Sequence, residues 1–140
     1  MNPLEKKKLS VILITTILVV LLDQLSKILI VKGIIPLSYL LNTGAGFGIL
    51  KNSTALLIWI SIIVIGLILY YYEKVPVKLK SVQIATALIL AGAIGNLIDR
   101  IRLGHVIDFI NLRIWPSFNI ADSAITIGAI LLIIYLVKEK

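Results

Sequence analysis

Four runs of apolar residues, each near the length that crosses a lipid bilayer, constrain this chain more than anything else in it. Crossing about 30 Å of hydrocarbon takes roughly 20 helical residues at 1.5 Å each. Stretches at about 9–31, 54–72, 82–98 and 120–137 approach that length. The first is interrupted only by Asp23, Gln24 and Lys27, the second carries no charge, and the fourth has Asp122 near its start. The third is rich in small residues (Ala85, Ala87, Ala91, Gly92, Ala93, Gly95), which let helix backbones approach closely in lipid. Charged residues are 15% of the chain, against about 25% in soluble domains, too few for a water-facing surface. An all-α membrane protein follows, a single domain over residues 1–140.

Orientation comes from the basic residues. Lys6, Lys7 and Lys8 before the first run look like the start of a secretory signal, but the run is too long and no A-x-A site follows, so an uncleaved first helix is expected. Four spans put both termini on one side. The termini and the loop at 72–82 carry Lys6, Lys7, Lys8, Lys74, Lys78, Lys80, Lys138 and Lys140. The other two loops carry Lys32, Lys51, Arg100, Arg102 and Arg113. Eight against five places both termini in the cytoplasm. The net charge of +7 is thus read as topology, with phospholipid as the partner and nucleic acid excluded. Arg100, Arg102 and Arg113 on the outer side are candidates to meet lipid phosphates. The loops 36–50 (with Gly44, Gly46 and Gly48) and 106–118 (with Trp115-Pro116) read as short strands and a tight turn, a small extracytoplasmic β element.

The seven acidic residues divide cleanly. Glu5, Glu73 and Glu139 lie among lysines at the cytoplasmic ends. Asp23, Asp99, Asp108 and Asp122 lie in or beside the outer half of the spans, Asp23 about 12 Å below the outer end of its helix. A carboxylate at membrane depth costs at least about 2.5–3.5 kcal/mol on insertion scales, so four converging on one leaflet mark a site. Each also has a plainer reading. Asp23 and Lys27 are i,i+4 and could form an intrahelical pair with Lys27 snorkelling outward. Asp99 could pair with Arg102, and Arg100 could reach a lipid phosphate. Asn119 and Asp122 could cap the fourth helix. Asp108, between Ile107 and Phe109, has the least structural motive. His105 reads as interfacial rather than as a ligand, and Gly92 and Gly95 as packing.

The inventory narrows the chemistry. There is no cysteine and a single histidine, which removes thiolate nucleophiles, disulfides and an H-E-x-x-H zinc site. His105 has no G-x-S-x-G serine to serve. Ser26 and Lys27 are helical neighbours pointing about 100° apart, a poor Ser–Lys dyad. Carboxylate chemistry remains: two aspartates a few ångströms apart share a proton, one activating water while the other polarises a carbonyl.

Five segments in order carry a family resemblance: LDQLSK at 22–27, NTGAGFG at 42–48, AGAIGNLIDR at 91–100, VIDFI at 106–110 and FNIADSAI at 118–125. Together with the hydropathy they resemble the lipoprotein signal peptidases (signal peptidase II), small four-span bacterial aspartic proteases. Gly46 and Ala91 are mild departures from that pattern. The resemblance implies a catalytic pair at Asp108 and Asp122. It implies site-structuring or substrate-binding roles for Asp23, Asn42, Gly44, Asn96, Asp99, Arg100 and Asn119. Asn96 with Asp99, and Asn119 with Asp122, share helical faces at i,i+3, so each helix is expected to present a paired polar edge. The implied substrate is a prolipoprotein whose cysteine carries a diacylglyceryl group, cut just before that cysteine. No metal or organic cofactor is required, and a monomer in the bacterial inner membrane with its site on the extracytoplasmic side is expected. Two other classes compete: a proton-coupled transport subunit, against which no inverted repeat is visible, and a lipid transferase using aspartate-bound magnesium.

Overall fold

The first helix starts earlier than its apolar run. Asn2 accepts a hydrogen bond from the Glu5 amide at 2.9 Å and donates its own amide to the Glu5 carboxylate at 3.1 Å, a capping box with Pro3 in the first turn. The computed structural model, which describes residues 1–45, 50 and 52–138, therefore begins α1 at Pro3 and runs it to Val31. The glycine turn expected at Gly46 and Gly48, with Phe47, and the charges Lys51, Glu139 and Lys140 lie outside the described residues.

Three further helices cover the remaining apolar runs: α2 (Thr54–Tyr70), α3 (Lys80–Leu103) and α4 (Ile120–Lys138). Helices α1, α3 and α4 are long and apolar enough to cross a membrane, and α2, at 17 residues, is a shorter apolar helix. The protein is thus a multi-pass membrane protein. A 3-10 turn (Tyr72–Lys74) follows α2, and buried Gln83 pins the rest of that connection by donating to the Pro76 and Val77 carbonyls at 2.9 and 3.0 Å. Lys8 is not a free terminal charge. It is buried, donates to the Tyr72 and Val75 carbonyls at 3.2 and 3.3 Å, and sits over the Tyr72 ring.

Helix α3 is the central element, packed against each of the other three. Its small residues explain why. A Cβ on Gly92 would collide with the Ala121 carbonyl of α4, and one on Gly95 would lie 2.8 Å from an Asp23 carboxylate oxygen of α1. Gly128 of α4 returns the contact, its absent Cβ falling 2.7 Å from the Ala85 carbonyl. In lipid, where apolar contact alone gives no net drive, this close backbone approach is what holds helices together. The hydrophobic core cluster is Ile12, Ala87 and Leu90, flanked by Ile65, Ile68 and Tyr72. Leucines and isoleucines on the outer faces of α1, α2 and α4 are exposed, as lipid-facing surface should be.

Helix α3 stops at Gly104, whose φ of +77° only glycine adopts without strain, and the chain turns directly into a strand. That strand, β2 (Val106–Asp108), pairs antiparallel with β1 (Leu40–Asn42), Asn42 opposite Val106 and Leu40 opposite Asp108. The expected β element is therefore present but only three residues deep. The rest of 106–118 is a loop whose base is closed by an Ile110–Phe118 bridge.

Candidate active site

The site grows from the N-terminus of α4. Asn119 precedes the helix and its Oδ1 accepts the Asp122 amide at 2.9 Å, while Asp122 Oδ2 accepts the Asn119 amide at 3.2 Å. The capping reading of this pair is thus correct, but it accounts for only part of what the side chains do. The Asn119 amide nitrogen, fully buried, also donates to Asp108 Oδ1 at 2.7 Å and to Asn96 Oδ1 at 3.1 Å. Asn96 in turn donates to Asp122 Oδ1 at 2.8 Å. From β1, Asn42 donates to Asp108 Oδ2 at 2.8 Å. Both carboxylates therefore have each oxygen held by an amide, and both are tied to the one residue Asn119.

Asp122 lines a cavity of about 590 Å³ with Asn42, Gly44, Asn96 and Arg100, and with Trp115, Phe118, Ile125 and Ile127 supplying apolar wall. Asp108 lies just behind this wall, its oxygens taken by Asn42 and Asn119 and its exposure only 2%. Burial pushes the Asp108 carboxyl up to about 6; the bond from Asn42 pulls it down and the Asp122 charge adds to the rise.

Arg100 turns into this site rather than outward to lipid, its Nη2 3.3 Å from the Gly44 carbonyl. Its Nε is buried without a hydrogen-bond partner among the described residues. Gly44 is held from the other side, its amide donating to Asn42 Oδ1 at 2.9 Å.

Asp23 and Asp99 form a second cluster across α3 from the cavity. Lys27 reaches Asp23 at 2.7 Å and Asp99 at 2.8 Å, and all three are buried. The i,i+4 pair of the plainer reading is present, but Lys27 does not snorkel outward: two carboxylates at the helix interface outcompete the headgroup region for its ammonium. The Asp99–Arg102 pairing also fails, because Asp99 faces α1 while Arg102 is exposed. The i,i+3 pair on α3 accordingly splits, Asn96 turning to α4 and Asp99 to α1. Two backbone bonds join this cluster to the first. Asp23 Oδ1 accepts the Ala121 amide at 3.0 Å, and Asp99 Oδ2 accepts the Ile107 amide at 3.4 Å.

Gln24 was not singled out from the sequence, yet it bonds Asp99 at 2.9 Å, the Gly95 carbonyl at 3.2 Å and Asp23 at 3.2 Å. Its signal was an amide in an apolar span directly after Asp23. Thr54 was missed as well; its hydroxyl lies 2.9 Å from the Gly104 carbonyl and 3.3 Å from that of Thr43, fastening α2 beside the β element. Ser26 bonds the Asp23 carbonyl of its own helix at 2.8 Å, so it makes no dyad with Lys27. Among the described residues, no group of three or more His, Cys, Asp or Glu side chains is placed to hold a metal.

Residues 15–138 match the signal peptidase (SPase) II family. The chain belongs to that family. It is 45% identical to a lipoprotein signal peptidase of Halothermothrix orenii over 91% of this chain and 95% of the relative. It is 44% identical to one from Streptococcus pyogenes serotype M5 over 96% and 97%. A bacterial membrane enzyme solved by the in meso method at 1.9 Å superposes with a TM-score of 0.81 at 36% identity, covering 92% of this chain and 94% of that one. A second, solved by the same method at 2.3 Å, gives 0.83 at 35% identity. As a signal peptidase II family member the protein is an aspartic-type peptidase, a hydrolase, and the resemblance carried by the five segments holds.

Proposed function

We propose that this protein removes the signal peptide from diacylglyceryl-modified prolipoproteins, cutting just before the lipidated cysteine, with Asp108 and Asp122 as the acid–base pair. The observation that carries the reading is the double tie to Asn119, which holds buried Asp108 and half-buried Asp122, from different elements, beside a largely apolar cavity that Asp122 lines. Like charges so held resist ionising together, so the pair keeps one proton until the pH passes about 6. The ionised carboxylate takes a proton from water as its oxygen attacks the scissile carbonyl. The protonated one hydrogen-bonds the carbonyl oxygen. Collapse of the tetrahedral intermediate breaks the C–N bond and a carboxyl proton passes to the leaving amine, restoring the shared-proton state. No covalent enzyme intermediate and no metal or organic cofactor enters.

Asn42 covers Asp108, so substrate engagement exchanges the Asn42 amide bond for one to the attacking water or the carbonyl. The unpaired Nε of Arg100 is placed to hold a second substrate carbonyl. Phe118, Ile125 and Ile127 offer apolar wall to a signal helix and acyl chains.

In this reading all four helices cross the bacterial inner membrane with both termini cytoplasmic. The carboxylates cluster at the C-terminal ends of α1 and α3 and the start of α4, opposite Lys6, Lys7, Lys74, Lys78, Lys80 and Lys138. Lys8 on the inner side and Arg100 on the outer are both turned into the protein, so the charge bias keeps its sign. Both carboxylates come from one chain, so a monomer suffices.

The test is cleavage of a diacylglyceryl-modified preprolipoprotein in detergent with EDTA present, followed by gel shift. Wild type cleaves; Asp108→Asn and Asp122→Asn do not, while still melting cooperatively as folded proteins. Cleavage by either variant would sink the pair, and loss of wild-type activity on chelation would move a metal-dependent chemistry forward.

A further inference from the structure

On the face of α3 away from the catalytic cavity, the ends of α1 and α3 enclose a groove of about 200 Å³. Lys27, Lys32 and Arg102 line it, with Asp99 as its one carboxylate and Ile28, Val31 and Leu103 as its apolar flank. Lys27 is shared by Asp23 and Asp99, so the positive charge the groove offers is that of Lys32 and Arg102. Among the described residues the exposed side chains of Lys32 and Arg102 make no hydrogen bond or ion pair. Lys27 is only 2% exposed, and Asp23 and Asp99 take two of its three ammonium donors.

We propose that this groove binds an anionic phospholipid, its phosphate between Lys32 and Arg102 above Lys27 and its glycerol and first acyl carbons along Ile28, Val31 and Leu103. A phosphate suits the cations because a guanidinium offers two parallel donors and an ammonium a compact third. The lipid, rather than a free phosphate, is the occupant because Ile28, Val31 and Leu103 are all exposed beside the cations on two membrane-length helices. A net-negative headgroup fits Lys32 and Arg102, the two cations with no carboxylate partner among the described residues, better than a zwitterion does. Of the three outer arginines, Arg100 is occupied in the catalytic cavity and Arg102 faces this groove, so the two neighbours serve different surfaces. The bound lipid would rest against the Lys27–Asp99 pair, stiffening the joint between α1 and α3. This site stands independently of the peptidase reading.

The experiment uses the full chain, stripped of lipid in dodecylmaltoside, and measures phospholipid binding by native mass spectrometry and by thermal shift. Phosphatidylglycerol is expected to bind saturably and raise the melting midpoint, with phosphatidylcholine and inorganic phosphate each far less effective. Lys32→Gln/Arg102→Gln is expected to weaken phosphatidylglycerol binding about tenfold or more, the loss of two charge-assisted contacts. Lys32→Arg/Arg102→Lys retains it, and both variants keep the wild-type melting midpoint in the absence of lipid, which certifies their fold. Equal binding by wild type and the Gln variant overturns the site. An equal response to phosphatidylcholine overturns the charge selection, and an equal response to inorganic phosphate overturns the lipid as occupant. The wild-type comparison among the three additives decides the matter even if a variant does not fold.

Discussion

Asp23 on α1 accepts the backbone amide of Ala121 on α4 at 3.0 Å, across ninety-eight residues of chain. Asp99 does the same for Ile107 at 3.4 Å. Ala121 immediately precedes Asp122, and Ile107 immediately precedes Asp108. The two aspartates outside the proposed catalytic pair thus each hold the backbone one residue before a member of it, and Lys27 joins the two holders.

Lys27 is the member whose loss should cost most. Lys27→Met leaves two buried carboxylates facing each other without a cation, which typically destabilises by about 3–5 kcal/mol. Lys78→Met, on an exposed loop, should stay within about 0.5 kcal/mol. Thermal melts of both in detergent check this; similar midpoints would show that the buried triad contributes little.

Two glycine substitutions separate packing from helix propensity. Gly95→Ala puts a methyl 2.8 Å from Asp23 Oδ2, so Asp23 has to give way and its hold on Ala121 loosens. A lower melting midpoint and at least about a tenfold loss of cleavage, roughly 1.4 kcal/mol, are expected. Gly66→Ala on α2 meets nothing within 4 Å and should leave cleavage unchanged, with a melting midpoint equal to or above wild type because alanine is the better helix former.

Asn119 combines a helix cap with a bridge between carboxylates, and two variants take these apart. Asn119→Ala loses both, the cap alone being worth about 1 kcal/mol. Asn119→Ser keeps an oxygen for the Asp122 amide but is too short for its hydroxyl to reach Asp108 as the Asn119 amide nitrogen does, so it should recover melting temperature without recovering turnover. Equal recovery of both would reduce Asn119 to a cap.

The pH profile should show the shared proton. Asp108, raised to about 6, gives kcat/KM an alkaline limb near that value in the free enzyme, as the pair loses its last proton. The Asn42 bond favours the ionised carboxylate, so Asn42→Ala should move this limb to higher pH. The fold follows the same titration. A raised carboxyl pKa gives stability present below about pH 4 and lost as pH rises through about 6, on the order of 3 kcal/mol. Melting in detergent from pH 4 to pH 7 should register that decline.

Much of this was legible because hydropathy, small-residue runs and glycine-bearing loops act locally. The apolar runs and the short β element follow from spacing alone, and the Asn119–Asp122 cap from an i,i+3 pattern. Partner choice across helices was not legible. Lys27 satisfies an i,i+4 rule with Asp23 whether it turns to the headgroups or into the interface, and nothing near it in sequence names Asp99. Asp99 had a local candidate in Arg102, which tertiary packing set aside. Lys8 was hidden for a similar reason: three adjacent lysines look equivalent, but only one faces the carbonyls at the end of the Tyr72–Lys74 turn. Gln24 was overlooked because its value lies in three contacts, two of them to α3.

The closed base formed by Ile110 and Phe118 has a consequence for variation among such enzymes. Residues 111–117 hang from that base and contribute Leu112, Trp115, Pro116 and Ser117 to the cavity rim, while the carboxylates are registered against α1 and α3 from below. A change in the length or charge of 111–117 would therefore reshape the cavity mouth while the backbone before Asp108 and Asp122 stays fastened to α3 and α1.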